Sequence, residues 1–178
     1  MKIFGFAGWS GSGKTTLIEQ LIPRFVAHGL KVSLLKHAHH DFDVDLPGKD
    51  SYRHRHAGCQ EVLITSRLRW ALMHELRGGD ELSLDECVAR LSPCDLLLVE
   101  GYKRHPLPKL EIWRAGNGKP LLHPQDPHIV ALATDSELET SDGKLATPDG
   151  KLATPLPRYH LSDFGPIADF ILEYNGLK

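Results

Sequence analysis

The first apolar run, Ile3 to Ala7, is short and uniform and stops at a glycine, as a buried strand does. From Thr15 to His28 the spacing changes. Ile18, Leu21, Ile22 and Phe25 fall on one face of a helix, Pro23 should kink its last turn, and Gly29 closes it. Val32 to His37 returns to strand spacing, so strand, glycine loop, helix and strand make a βαβ unit of about the length a parallel pair requires. The pattern then weakens. Asp41 to Lys49 is polar and turn-rich, Ser51 to Ala57 predicts a short helix, and Glu61 to Ser66 and Arg69 to His74 alternate as strands whose pairing stays open. Ser83 to Leu91 predicts a helix opened by a capping box, Ser83 with Glu86 three residues on. Asp95 to Glu100 carries only apolar residues between its carboxylates, the pattern of a central strand buried on both faces. Ile129 to Thr134 adds a strand, and Ser162 to Tyr174 a closing helix with Ile167, Phe170, Ile171 and Tyr174 facing inward.

Between these last two elements, Asp142 to Pro148 is repeated at once as Asp149 to Pro155. Two copies cannot stack into a solenoid, which needs at least about three units, so the repeat predicts a duplicated surface loop at about 136–158. At 178 residues the chain fits one domain with a core that needs no staples. The net charge of −2, with dispersed Lys and Arg, lacks the basic stripe of a nucleic-acid binder. The three cysteines form no CxxC, which suits reduced thiols. No apolar run approaches the ~20 residues of a membrane span, so a cytoplasmic protein is expected.

The chemistry starts at Gly8-Trp9-Ser10-Gly11-Ser12-Gly13-Lys14-Thr15, which fits G-x-x-x-x-G-K-[ST]. Glycines permit the backbone to turn consecutive N–H groups into one concavity around phosphates. Lys14 then places a cation on the β- and γ-phosphates, Thr15 lends its hydroxyl to Mg2+, and the helix that follows aims its positive end at the anion. The predicted fold class is therefore α/β: a three-layer P-loop NTPase fold with a mostly parallel central sheet and helices on both faces, as a single domain over 1–178. Glu100 ends a predicted strand at the sheet's carboxyl edge and is the candidate magnesium carboxylate, whereas Asp95 begins that strand and should be structural. The run from Lys36 to Asp45 has two readings besides a solvated loop. In one, an Asp of this run, Asp45, joins the magnesium shell and orients water, while Lys36 or His37 lies near phosphate. In the other, His37, His39 and His40 bind a transition metal. Gly48 to Ser51 caps a helix and is a candidate switch segment.

Four motifs resemble the MobB family of molybdopterin-guanine dinucleotide biosynthesis adaptors: Gly8 to Thr16, Lys36-His37 with His39 to Asp45, Pro47 to Ser51, and Val99 to Lys103. Arg69 to Met73 and Ile129 to Asp135 extend the likeness over residues 1 to about 135. The resemblance implies a homodimeric GTP-binding protein with weak hydrolysis, which assists a guanylyltransferase in attaching GMP to the molybdenum cofactor, a molybdopterin. GTP and Mg2+ are the implied cofactors. Gly11, Ser12, Gly13, Lys14, Thr15 and Thr16 would hold the nucleotide; Thr15, Glu100 and Asp45 the metal; and Lys14, Glu100 and Asp45 any hydrolysis. The NKxD segment that reads guanine in many GTPases is absent, and Asp135 is the candidate base-reading carboxylate. No glutamine follows the Glu100 strand and no arginine can be named as a finger, so hydrolysis is expected to be slow. Lys103, Arg104 and His105 offer positive charge to a phosphorylated pterin, or form a solvated loop. The competing classes are a P-loop small-molecule kinase and a metal-insertion GTPase using His37 to His40.

Overall fold

The computed structural model describes residues 1–38, 42–135 and 156–178, so the repeat at 142–155 and the residues His39, His40 and Asp41 lie outside the described residues. The chain forms two compact units, Met1–His37 with Leu91–Lys178, and Ala38–Arg90.

The first unit is built on six parallel strands in the order β2-β5-β1-β6-β7-β8. They span Lys2–Ala7 (β1), Val32–Lys36 (β2), Leu96–Glu100 (β5), Lys109–Trp113 (β6), Ile129–Thr134 (β7) and Arg158–His160 (β8). The expected β1–β2 pair is corrected: both strands are parallel, but β5 lies between them. The reason is burial. Every residue of β5 is buried and needs neighbours on both edges, whereas β2 carries Ser33 and Lys36 and tolerates the sheet's margin.

Helix α1, Lys14–Ala27, buries Leu17, Ile18, Leu21 and Phe25, and α4, Phe164–Tyr174, buries Ile167, Ala168, Ile171 and Leu172. Both pack in one cluster with Phe4, Phe6, Leu96, Leu98, Leu110, Ile112, Ala131 and Ala133, which recur at every second strand position and so line one sheet face. Tyr174, expected inside, is half exposed. The apolar arc of α4 runs through 167, 168, 171 and 172, leaving Tyr174 at its rim with its ring edge on Phe4 at 5.9 Å.

The sequence reading has no strand at β6, yet all five of its residues are buried. Lys109 and Glu111 give it the alternation of a half-exposed segment, but both charges are interior, at 1% and 0% exposure. Each is paired, as a buried charge must be. Lys109 Nζ meets Asp126 Oδ2 at 2.7 Å and donates to the carbonyls of Lys103 and His105 at 3.0 and 2.7 Å. Glu111 accepts from the backbone N–H groups of Leu122 and His123 at 2.6 and 2.9 Å. Gly5 makes the space: a Cβ there would lie 2.6 Å from Lys109 Cγ.

The second unit holds helix α2, Asp50–His56, an antiparallel hairpin of β3, Glu61–Thr65, and β4, Trp70–His74, and helix α3, Leu84–Ala89. The capping box of α3 is present, with Ser83 Oγ accepting from Glu86 N and Glu86 Oε2 accepting from Ser83 N. Arg55 on α2 knots the unit, reaching Asp43, Asp45 and Glu75 at 2.6, 3.0 and 2.6 Å. These contacts, Glu75 first, hold its guanidinium well above the ordinary arginine range, and Arg55 in turn holds the Asp43 carboxyl below its ordinary value.

Candidate nucleotide site

The loop between β1 and α1 turns on glycines in the left-handed region. A Cβ on Gly8, at φ +153°, would lie 2.5 Å from the carbonyl oxygen of Ile112, so only glycine lets the loop leave β1 against β6. Gly13, at φ +94°, is the N-cap of α1 and supplies no capping side chain, and the first turn holds no acidic residue. The first N–H groups of a helix lack intrahelical acceptors, and here they carry the helix's positive end with no capping side chain and no acidic residue in the turn itself. The residues present therefore suit a phosphate. Lys14 lies across the loop, its Nζ donating to the carbonyls of Gly8 and Trp9 at 3.0 and 2.9 Å. Burial lowers the pKa of this ammonium; Glu100 opposes the shift, while Lys103 and Lys36 add to it.

The parallel register sets Phe6, Glu100 and Lys36 side by side at the carboxyl ends of β1, β5 and β2. Glu100, 6% exposed, is bracketed there. Thr15 Oγ1 donates to its Oε1 at 3.3 Å, and Lys36 Nζ stands 3.5 Å from its Oε2. A hydroxyl and a carboxylate are hard oxygen donors, the kind Mg2+ takes alongside phosphate oxygens. Asp95, at the other end of the strand, accepts from Lys31 N at 2.7 Å and is structural, as expected.

A cavity of about 240 Å3 opens beside the loop. Its floor is Gly13, Thr16 and Leu17, and its walls come from the carboxyl ends of three strands: Arg114 after β6, Asp135 after β7, and His160, Leu161, Ser162 and Phe164 from β8 into α4. This volume falls below the ~300–1,000 Å3 of drug-sized ligand pockets. Arg114 Nε donates to the Ser12 carbonyl at 3.0 Å, and its Nη1 pairs with Asp135 Oδ2 at 2.9 Å.

Residues 3–135 match the family model for MobB, molybdopterin guanine dinucleotide synthesis protein B. The chain belongs to the MobB family. It is 39% identical over 175 residues to the molybdopterin-guanine dinucleotide biosynthesis adapter protein of Escherichia coli K12, covering 97% of this chain and 92% of that one. The adapter protein of the same description from Haemophilus influenzae is 43% identical over 140 residues, covering 77% of this chain and 76% of its own length. Among solved structures, Bacillus subtilis MobB superimposes with a TM-score of 0.74 at 23% identity over 97% of each chain. The MobB homologue of Bacillus stearothermophilus does so at 0.69 and 22% over the whole of both. The shared fold is the α/β, P-loop NTPase-like arrangement with a mostly parallel sheet.

Among the other MobB-like segments, Asp45 belongs to the second unit, where Ser51 Oγ and Arg55 Nε donate to its two oxygens at 2.9 and 3.0 Å. His37 donates its backbone N–H to the Glu100 carbonyl at 2.9 Å, and its ring centroid lies 5.1 Å from that of Tyr102. Among the described residues no group of three His, Cys, Asp or Glu could hold a metal ion, and no helix is long and apolar enough to cross a membrane. Two features at the loop escaped the sequence reading. Arg114 follows a strand that the pattern concealed. Trp9 is pinned by its Nε1 to the Pro120 carbonyl at 2.7 Å, with Lys103 Nζ 4.9 Å from its ring centroid; its position in the motif is a variable one, so spacing carries no signal for it.

Proposed function

We propose that this chain is a GTP-binding adapter in the making of molybdopterin guanine dinucleotide, holding GTP with Mg2+ and assisting a guanylyltransferase that joins GMP to the molybdopterin cofactor in the cytoplasm. The observation that carries the reading is the meeting of Lys14, Thr15 and Glu100 at the uncapped start of α1. The relatives' role as adapters in this pathway supports the rest. When bound, Mg2+ supplies charge neutralisation of the phosphates; Thr15 and Glu100 would hold it, with Lys14 on the phosphate oxygens and Gly11, Ser12, Gly13 and Thr16 around them. Asp45 is held within the second unit by Arg55 and Ser51, so this assignment rests on Thr15 and Glu100.

Slow hydrolysis fits the site. Arg114 is engaged by Ser12 and Asp135 on the Gly13 and Thr16 side of the loop. A finger arginine is worth about 10³ to 10⁵ in rate, and none is assigned here. Guanine preference is assigned to Asp135, which lines the cavity beside Thr16.

A homodimer is supported by the β3–β4 hairpin. Leu63 and Leu72 face each other across it, Trp70 lies two residues along the same face, and they are 62%, 50% and 67% exposed. Contiguous apolar exposure of this kind marks interaction surfaces.

The test is reconstitution of guanine dinucleotide formation with the guanylyltransferase, molybdopterin and limiting GTP. Wild-type protein is expected to raise the yield and Lys14→Ala to leave it at the level of the transferase alone. Equal stimulation by both variants contradicts the nucleotide-dependent role.

A further inference from the structure

Among the described residues Arg114 is the one guanidinium on the wall of the cavity beside Gly13 and Thr16, and it makes two contacts of different kinds. Its Nε holds the carbonyl of Ser12, inside the phosphate loop, at 3.0 Å. Its Nη1 holds Asp135, at the end of β7, at 2.9 Å. It also stands 3.2 Å from where a Cβ on Gly13 would be, so the glycine that opens α1 leaves room for it. One rigid fork thus spans the phosphate cradle and the carboxylate at the cavity wall.

A carboxylate is an acceptor-only group with about four acceptor positions, so it can accept from Arg114 and from other donors together. The guanine edge presents two donors side by side, N1–H and the 2-amino group. Adenine presents an acceptor at N1, which an anionic oxygen repels, and hypoxanthine lacks the 2-amino donor. A reader of guanine must therefore hold both oxygens in a fixed plane, and the 2.9 Å contact from Arg114 Nη1 to Oδ2 restrains that plane. Resting on the GTP-binding reading above, we propose that Arg114 is a positioning residue for base selection: it orients Asp135 towards the guanine edge and ties that orientation to the phosphate loop through Ser12. Base preference then depends on Arg114 more strongly than phosphate affinity does.

The experiment is calorimetric titration of GDP, IDP, ADP and inorganic tripolyphosphate into the full chain, as wild type, Arg114→Ala, Arg114→Lys, Asp135→Ala and the Arg114→Ala/Asp135→Ala pair. Arg114→Ala is expected to weaken GDP by about tenfold or more and bring the GDP-to-IDP ratio close to one, with tripolyphosphate weakened several-fold less than GDP. Arg114→Lys, which cannot span both partners with a planar fork, is expected to lose selectivity as well. The double variant should select no worse than Asp135→Ala. Retention of the GDP-to-IDP ratio in both Arg114 variants, or loss of tripolyphosphate binding in step with GDP, overturns the proposal. Should Arg114→Ala fail to fold, Arg114→Lys carries the same test. A wild-type protein that binds tripolyphosphate without favouring guanine overturns the proposal and spares the phosphate site; one that binds none of the four contradicts the GTP-binding reading itself.

Discussion

The hydroxyl of Thr15 donates to the carboxylate of Glu100 at 3.3 Å across a separation of 85 positions in the chain. The contact exists because β5 inserts beside β1 and ends level with it, bringing the last residue of one strand to the first turn of the helix that follows the other. Glu100→Gln keeps the shape and removes the charge. Titration with GTP is expected to show at least about a tenfold loss in the presence of Mg2+, and no loss in EDTA, where a carboxylate near the phosphates only repels. An equal loss in both buffers makes Glu100 a scaffold residue.

Lys14 gives the site a pH dependence whose sign follows from its surroundings. Burial lowers its pKa from 10.5, and a bound triphosphate favours the charged form. Binding therefore takes up a proton once the pH exceeds the lowered value, and affinity falls as pH rises, beginning below the range of an ordinary lysine. The same shift adds to folded-state stability as pH rises between the lowered value and 10.5, since the unfolded chain holds the proton longer. Calorimetry in buffers of different ionisation enthalpy measures the uptake; affinity that stays level until an ordinary lysine titrates contradicts it.

Lys109 is a buried cation whose partners anchor the segment after Glu100. Lys109→Met takes the donor from Asp126 Oδ2 and from the carbonyls of Lys103 and His105, leaving the Asp126 carboxylate, among the described residues, only its contact from His128 N. Denaturant unfolding should show a loss of about 3–5 kcal/mol, the usual cost of breaking a buried pair from one side. A loss under about 1 kcal/mol would mean that the segment repairs itself with water.

The hairpin makes a separate prediction. Trp70→Glu, on the face shared with Leu63 and Leu72, is expected to convert a dimer into a monomer in light scattering while leaving the melting temperature of the monomeric chain little changed, since Trp70 is mostly exposed. A dimer that survives the substitution places the interface elsewhere.

Much of this arrangement was legible from pattern. Gly8 to Thr15, the uniform run to Glu100 and the capping box at Ser83 each report a local requirement, and each stands where its spacing indicates. The misses share a cause, which is that tertiary pairing can override local polarity. Lys109 and Glu111 look solvent-facing, but Asp126 and the N–H groups of Leu122 and His123 satisfy them inside. With β6 hidden, Arg114 had no strand end to mark it. Strand adjacency was equally out of reach, because the pairing of β5 between β1 and β2 depends on which strand most needs two neighbours.

The most direct test is calorimetric titration of GTP and ATP into wild type and Lys14→Ala with Mg2+. GTP is expected to bind wild type at least about tenfold more tightly than ATP, and neither should bind the variant detectably while its fold persists by circular dichroism. Undiminished GTP binding by Lys14→Ala, or no binding by wild type, contradicts the phosphate site on which the functional reading stands.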